Sequence, residues 1–215
     1  MAGRPPQTHP ANGSQRADGQ RELLVAAVSR AAAEHGYAGL TIERVVDYAG
    51  VGRDVFDAHF ESREQGLLAA QEAFLERLLW EATGACEGPA PWPHRLRAGL
   101  RAVLTSLIES AALARVLTVE ADAAGLPFME RRLAALDDFA DLMRRGREHH
   151  PVARPLPKVT ERLLVGGVAS LLRQRLLREE PSTTTPLEAE LVELLLIPYL
   201  GRQEARRIAL EPPGL

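Results

Sequence analysis

The sequence predicts an all-α chain in which a small three-helix N-terminal unit precedes a larger helical domain. Three observations carry that expectation. Apolar residues recur at three- and four-residue spacing over most of the 215 residues, no stretch alternates apolar and polar positions with β-branched side chains, and Gly/Pro clusters cut the pattern into helix-sized pieces.

Residues 1–20 have no apolar periodicity and many breakers, so a disordered tail is expected there. Leu24, Ala27, Val28, Ala31 and His35 then repeat at helical spacing as far as Gly36, whose position suits a left-handed C-cap. Thr41 offers an N-capping hydroxyl to a short helix through Ile42, Val45, Val46 and Ala49, which Gly50 ends. Val51, Val55, Phe56 and Phe60 mark a second short helix, at about 51–60. Ser62 is placed to cap a longer one, with Glu64 in its first turn and Leu67, Leu68, Phe74, Leu75, Leu78 and Leu79 along its face to about Ala85. The breaker run from Gly88 to Pro93 then reads as a boundary. Further helices are expected at about 93–110, 111–122, 126–149, 156–179, 186–200 and 202–210. The domains follow as a tail over 1–20, a three-helix unit over 21–66 and a larger helical domain over 67–215, with the helix at about 62–85 connecting the last two.

Composition narrows the function classes. The hydrophobic fraction of 46% supports an ordinary buried core. No run of about 18 apolar residues exists and Met1–Gln20 lacks the apolar stretch of a secretory signal, so a cytoplasmic protein with no membrane partner is expected. Cys86 is the single cysteine, which excludes an internal disulfide and a multi-cysteine metal cluster and reads best as a small filler. His149 and His150 are adjacent, so on a helix they diverge by about 100° and cannot chelate one metal together. There is no Gly-rich phosphate loop and no G-x-S-x-G turn, and Asp137, Asp138 and Asp141 near Arg144 and Arg145 read as salt-linked surface. No enzyme activity, cofactor or metal is therefore expected.

Two short helices joined at Gly50 and braced by a longer one are the arrangement of a helix-turn-helix, whose second helix presents N-terminal side chains to the major groove. Periodicity alone fits a plain three-helix packing unit equally well. The residues discriminate, because Gly36–Leu68, GYAGLTIERVVDYAGVGRDVFDAHFESREQGLL, resembles without gaps the N-terminal signature of TetR-family regulators. The likeness rests on Gly36, Thr41, Ala49-Gly50-Val51, Phe56, His59-Phe60, Ser62-Arg63-Glu64 and Leu67. The C-terminal half is similar to one broad class of that family at Val165-Gly166-Gly167 and in the stretch ending PYLGRQEA at 198–205.

The resemblance implies a homodimer that binds double-stranded operator DNA and a small-molecule effector. Carried onto this chain, it makes Thr41 a phosphate contact, places Arg44 beside it, and makes Arg53 the base reader, since a guanidinium can hold guanine O6 and N7 together. His59 and Arg63 match the family's phosphate-contacting positions; the competing readings are a histidine packed on Phe60 and a solvated charge. Gly52, Asp54 and Asp57 depart from the pattern, in which the reading helix opens with Ser or Thr and carries Tyr where Asp57 stands. Asp54 can accept from cytosine N4, whereas Asp57 repels phosphate unless it pairs with Arg53, four residues earlier. Charge is unfavourable as well: the chain carries −3 overall, and residues 1–66 hold seven Arg against nine acids.

In the larger domain, Leu100, Leu104, Leu107, Leu117, Phe128, Phe139, Met143, Leu164, Val168 and Leu171 fall on helical stripes that read as core. The resemblance adds that some line an effector cavity, so Leu104, Leu107, Phe128, Phe139, Met143, Leu164 and Val168 are expected at the ligand, with Thr118, Glu120 and Arg132 as polar anchors. Gly166 and Gly167 each cost a helix about 1 kcal/mol, which close approach of a partner helix or clearance for a ligand would explain. The first reading places Gly166, Gly167, Ser170, Leu191, Leu194, Leu195 and Tyr199 in a dimer interface. The resulting expectation is a ligand-responsive repressor on a near-palindromic operator. The alternative is a helical interaction protein with a degenerate headpiece, and an enzyme built on the C-terminal cavity is a weaker third.

Overall fold

The computed structural model describes residues 11–148, 156–178 and 184–212, so His149 and His150 lie outside the described residues. Among the described residues there are ten α-helices, one 3-10 segment and no strand, an all-α fold as the periodicity requires. The chain forms two compact units that meet between Ala70 and Gln71.

The first unit contains α1 (Ala11–Gly39), α2 (Ile42–Ala49), α3 (Arg53–Asp57) and the beginning of α4 (Arg63–Ala85). Helix α1 starts well before the apolar stripe does. Residues 16–23 are exposed, and a helical turn with no buried face leaves no hydrophobic period to read. Its regular geometry breaks at Gly36, where φ is 68° and ψ 178°, a conformation open to glycine alone at little cost. Thr41 caps α2 by accepting the Arg44 N–H at 3.3 Å, and Gly50, at φ 65°, ends the helix in the left-handed region. The Ser62 hydroxyl accepts the Gln65 N–H at 3.2 Å while the Gln65 side-chain Oε1 takes the Glu61 N–H at 2.6 Å, so two donors at the start of α4 are satisfied. Leu24, Val28, Leu40, Val45, Phe56 and Leu67 are fully buried, each contributing about 1.5–3 kcal/mol of apolar burial.

The second unit continues α4 and adds α5 (Trp92–Glu109), α6 (Ala111–Thr118), a 3-10 segment (Glu120–Ala124), α7 (Leu126–Glu148), α8 (Thr160–Arg178), α9 (Thr184–Leu200) and α10 (Arg202–Leu210). The Gly88–Pro93 breakers are therefore not a boundary: they turn the chain from α4 into α5 inside one unit. That turn is tight, since a Cβ on Gly99 would lie 2.6 Å from the Cys86 sulfur. The helix expected over 111–122 stops at Thr118. Its carbonyl, which would otherwise accept the N–H of Asp122, takes Arg173 Nε at 2.9 Å and Arg132 at 3.3 Å instead. Helix α8 likewise begins at Thr160 rather than 156, after a turn in which the Thr160 N–H meets the Pro157 carbonyl at 3.0 Å.

Two buried carboxylates hold this unit together. Glu188 of α9, with its side chain 7% exposed, receives Arg97 Nε at 2.8 Å and Arg101 at 2.8 and 2.7 Å from α5. Arg97 also donates to the Ile208 and Glu211 carbonyls, tying down the end of α10. Burial pushes the Glu188 carboxyl up, but the two guanidinium partners outweigh it and leave the group below the ordinary carboxylate value. Glu161 of α8, fully buried, accepts the Tyr199 hydroxyl at 3.0 Å and lies 2.9 Å from Arg147 Nε. Trp92 packs edge-on to Tyr199 at 5.1 Å, against Gly146, where a Cβ would meet the indole at 2.5 Å. No single helix among the described residues is long and apolar enough to cross a membrane.

Candidate functional site

Within the first unit, the expected DNA-facing residues Thr41, Arg44, Gly52, Arg53, Asp54 and Asp57 lie on α2 and α3 or at their starts. Thr41 stands at the N-terminus of α2, and Glu43, one turn inside it, is held below the ordinary carboxylate value by its own N–H and the Thr41 hydroxyl, with Arg53 adding to both. Arg53, the first residue of α3, donates to Glu43 at 3.0 Å and faces Asp57 at 3.5 Å. The pairing that could reconcile Asp57 with a phosphate-facing helix is thus present, and both side chains remain more than half exposed, at 57% and 56%. Asp54 folds back towards Gly52, where a Cβ would meet the carboxylate and make that exposed side chain turn away. Arg44 is exposed and donates to the Gly39 carbonyl.

Helix α3 is shorter than its apolar stripe suggests. Regular geometry ends at Asp57, although the Ala58 and Phe60 N–H groups still bond the Asp54 and Phe56 carbonyls at 3.1 and 2.9 Å. His59 lies half-buried in that last turn, its ring 6.5 Å from Phe60, the packing that competed with a phosphate role.

Arg63 is no freely solvated charge. It donates to Glu64 at 2.7 Å and to the Leu40 carbonyl at 2.8 Å, and its guanidinium lies 5.0 Å from the Tyr37 ring centre. The Glu64 hydrogen bond, opposed by desolvation, raises its pKa above the ordinary arginine value. Leu40 immediately precedes Thr41, so Arg63 stands beside the start of α2. Sequence reasoning missed a further group, in which Tyr48 donates to Glu34, meets His35 at 3.2 Å and lies under Arg30 at 4.7 Å. These contacts fasten α1 to α2 across an exposed seam that hydrophobic spacing does not register.

The second unit encloses a cavity of about 990 Å³. Its apolar wall includes Leu78 of α4, Leu100 and Val103 of α5, Leu136 of α7, Val165 of α8 and Leu195 of α9. Of the expected ligand contacts, Leu107, Thr118, Phe139, Met143 and Val168 line it, with Arg132. Four do not. Leu104 and Phe128 are 3% and 2% exposed and point into packed core, Leu164 packs against that core, and Glu120 turns to Arg115 at 3.5 Å. Periodicity identifies the inward face of a helix but not whether packing or empty space lies opposite it. The polar wall residues Arg95, Arg173 and Glu87 were not anticipated, because apolar spacing passes over them.

Three expected interface residues are corrected. Leu191, Leu195 and Tyr199 are buried in their own chain, between α5, α8 and α10, and present no surface to a partner. Leu194 is 48% exposed, and Leu163, Leu171 and Leu177 on α8 and Ile197 on α9 are exposed apolar residues that the sequence reading left out of the interface. Gly166 and Ser170 line the cavity, while Gly167 is exposed; a Cβ on either glycine would meet nothing within 4 Å.

Residues 23–70 match the family model described as bacterial regulatory proteins, tetR family. Comparison with curated protein sequences finds no match. Among solved structures, the fold is similar to a putative TetR-family transcriptional regulator from Mesorhizobium loti, at TM-score 0.67 and 18% identity over 86% of this chain and 98% of that one. It is similar to SmeT, the repressor of the Stenotrophomonas maltophilia multidrug efflux pump SmeDEF, at 0.65 and 22% over 83% and 89%. It is also similar to FadR from Bacillus subtilis in complex with stearoyl-CoA, at 0.67 and 15% over 84% and 98%.

Proposed function

Because the chain carries the N-terminal domain of the tetR family of bacterial regulatory proteins at residues 23–70, we propose that it is a ligand-responsive transcriptional repressor. The observation that carries the reading is the pairing, in one chain, of that domain with a second unit holding a largely apolar cavity of about 990 Å³. That volume lies at the upper end of the roughly 300–1,000 Å³ typical of small-molecule sites. SmeT is a repressor and FadR a stearoyl-CoA complex, which supports both halves of the proposal.

On operator DNA, Thr41 and the start of α2 bind phosphate, Arg53 reads a guanine edge, and Arg63 and His59 hold the backbone. A homodimer sets two α3 helices about 34–36 Å apart on a near-palindromic site. The exposed apolar residues of α8 and α9, with Gly167 between Leu163 and Leu171, are the dimer surface in this reading. An effector acts only through its differential affinity for the DNA-binding and non-binding arrangements.

Electrophoretic shift with DNA from the protein's own gene neighbourhood tests the proposal. The expected result is a salt-sensitive complex that addition of effector weakens. A second reading, a helical interaction protein, draws on Arg53 being engaged by both Glu43 and Asp57. Absence of any shift at low salt, with the dimer intact, would favour it.

A further inference from the structure

The cavity wall carries charge as well as apolar surface, and the signs are unequal. Among the described residues, Arg95, Arg132, Arg145 and Arg173 line it against Glu87 as the one acid. Arg132 and Arg173 converge on Asp122, so their charge is partly compensated inside the protein. Arg95 differs. Among the described residues its one side-chain hydrogen bond is a long one, 3.5 Å to the Cys86 carbonyl; its Nε is buried with no acceptor, and no described carboxylate lies within ion-pair distance. The neighbouring Cys86 thiol brings no counter-charge, since burial pushes its pKa up. Around Arg95 the wall is apolar, formed by Trp92, Leu96 and Gly99 of the same helix.

A partly buried guanidinium with an unmet donor is unfavourable unless something completes it. A ligand that fills the cavity and carries one negative charge would do so, and a carboxylate matches the guanidinium fork in both charge and geometry. At Arg95 itself a phosphate dianion would bring a second negative charge to a single guanidinium, whereas a carboxylate brings one. We propose that the effector is an amphipathic monocarboxylate, its acid group seated on Arg95 and its apolar body lying between α5, α7 and α8. The inference rests on the cavity being the effector site.

Trp92, 4% exposed on the cavity wall, is a built-in reporter, while Trp80 is 75% exposed and absent from that wall. In a Trp80→Phe background, Trp92 fluorescence is titrated with dodecanoate, 1-dodecanol and dodecyltrimethylammonium at pH 8, below their micelle concentrations. Dodecanoate is expected to bind more tightly than the alcohol by at least about tenfold, the factor one charge-assisted hydrogen bond implies. Arg95→Met, which keeps an unbranched stem and removes the guanidinium, should abolish that preference, and Arg95→Lys should restore part of it. Equal binding of acid and alcohol to the parent protein, or tighter binding of the cation, overturns the anion inference while leaving the cavity as a ligand site. No Trp92 response to any of the three overturns the effector-site reading itself. The parent comparison needs no Arg95 variant, so it stands even if Arg95→Met fails to fold.

Discussion

Replacing Gly167 by leucine separates the two explanations for glycine in α8. Within one chain the substitution meets nothing, because a Cβ at 167 has open space for 4 Å and the residue is exposed. Removing a helical glycine should therefore make the isolated chain more stable, by about 0.8–1 kcal/mol on helix propensity. If the exposed face of α8 packs on a second copy, the added side chain overpacks that contact at about 1–3 kcal/mol per copy. Two-fold symmetry doubles this to about 2–6 kcal/mol, or about 30-fold to twenty-thousand-fold in dimer dissociation constant. Sedimentation equilibrium from nanomolar to micromolar protein reads the shift directly, with Gly167→Ala as the intermediate case. A dimer of unchanged affinity refutes the assignment of this face. A parent protein that is monomeric at micromolar concentration refutes the dimer altogether.

Other outcomes follow from the same geometry. Glu188→Gln should destabilise the protein by about 3–5 kcal/mol at pH 7, since it leaves Arg97 and Arg101 without their buried counter-charge. The folded Glu188 carboxyl lies below its unfolded value, so its contribution is complete above about pH 5 and lost as pH falls through the folded value. Denaturation midpoints of parent and variant should therefore converge in acid, and a gap that widens there would contradict the pairing. Asp57→Tyr should tighten binding to all DNA sequences alike, because the exposed Arg53 pair it breaks is worth only about 0.3–0.5 kcal/mol. Loss of binding in a filter assay would show instead that Asp57 holds Arg53 in its reading position. Arg53→Ala should relax preference at one base of each half-site, measured by binding-site selection.

The sequence made the helices legible wherever a helix buries one face. Thr41, Gly50 and Ser62 stand at the termini that cap chemistry assigns them. The polar start of α1 was invisible for the converse reason, having no buried face to impose a period. The break at Thr118 was illegible because it depends on Arg132 and Arg173, which come from 14 and 55 residues away. The same limit governs the site. Leu191, Leu194 and Leu195 are equivalent as letters, yet only Leu194 faces outward, while the other two fill the core of their own chain. Tyr199 likewise reads as surface or core with equal ease until Glu161, 38 residues away, is seen to take its hydroxyl.

Arginine carries most of the cationic structural contacts in this chain, which has 25 Arg and one Lys. In the second unit two arginines show what the guanidinium fork supplies: Arg97 joins one carboxylate and two carbonyls, and Arg101 grips both oxygens of Glu188. A lysine has no such planar fork and could not reproduce either arrangement. Arg63 extends that logic to the headpiece. Its bond to the Leu40 carbonyl and its place over Tyr37 fix the approach to α2, so a substitution at Arg63 acts on the chain entering Thr41 as well as on the proposed phosphate contact. Arg63→Ala should then both lower DNA affinity without regard to sequence and weaken hydrogen-exchange protection in α2, by about 1.5 kcal/mol for the lost charged hydrogen bond. Arg63→Lys distinguishes the two parts, since it keeps a charge for phosphate but loses the paired bonds to Leu40 and Glu64. Full DNA affinity with full protection in the lysine variant would show that charge alone matters at this position, and that the brace seen between α4 and the start of α2 is incidental.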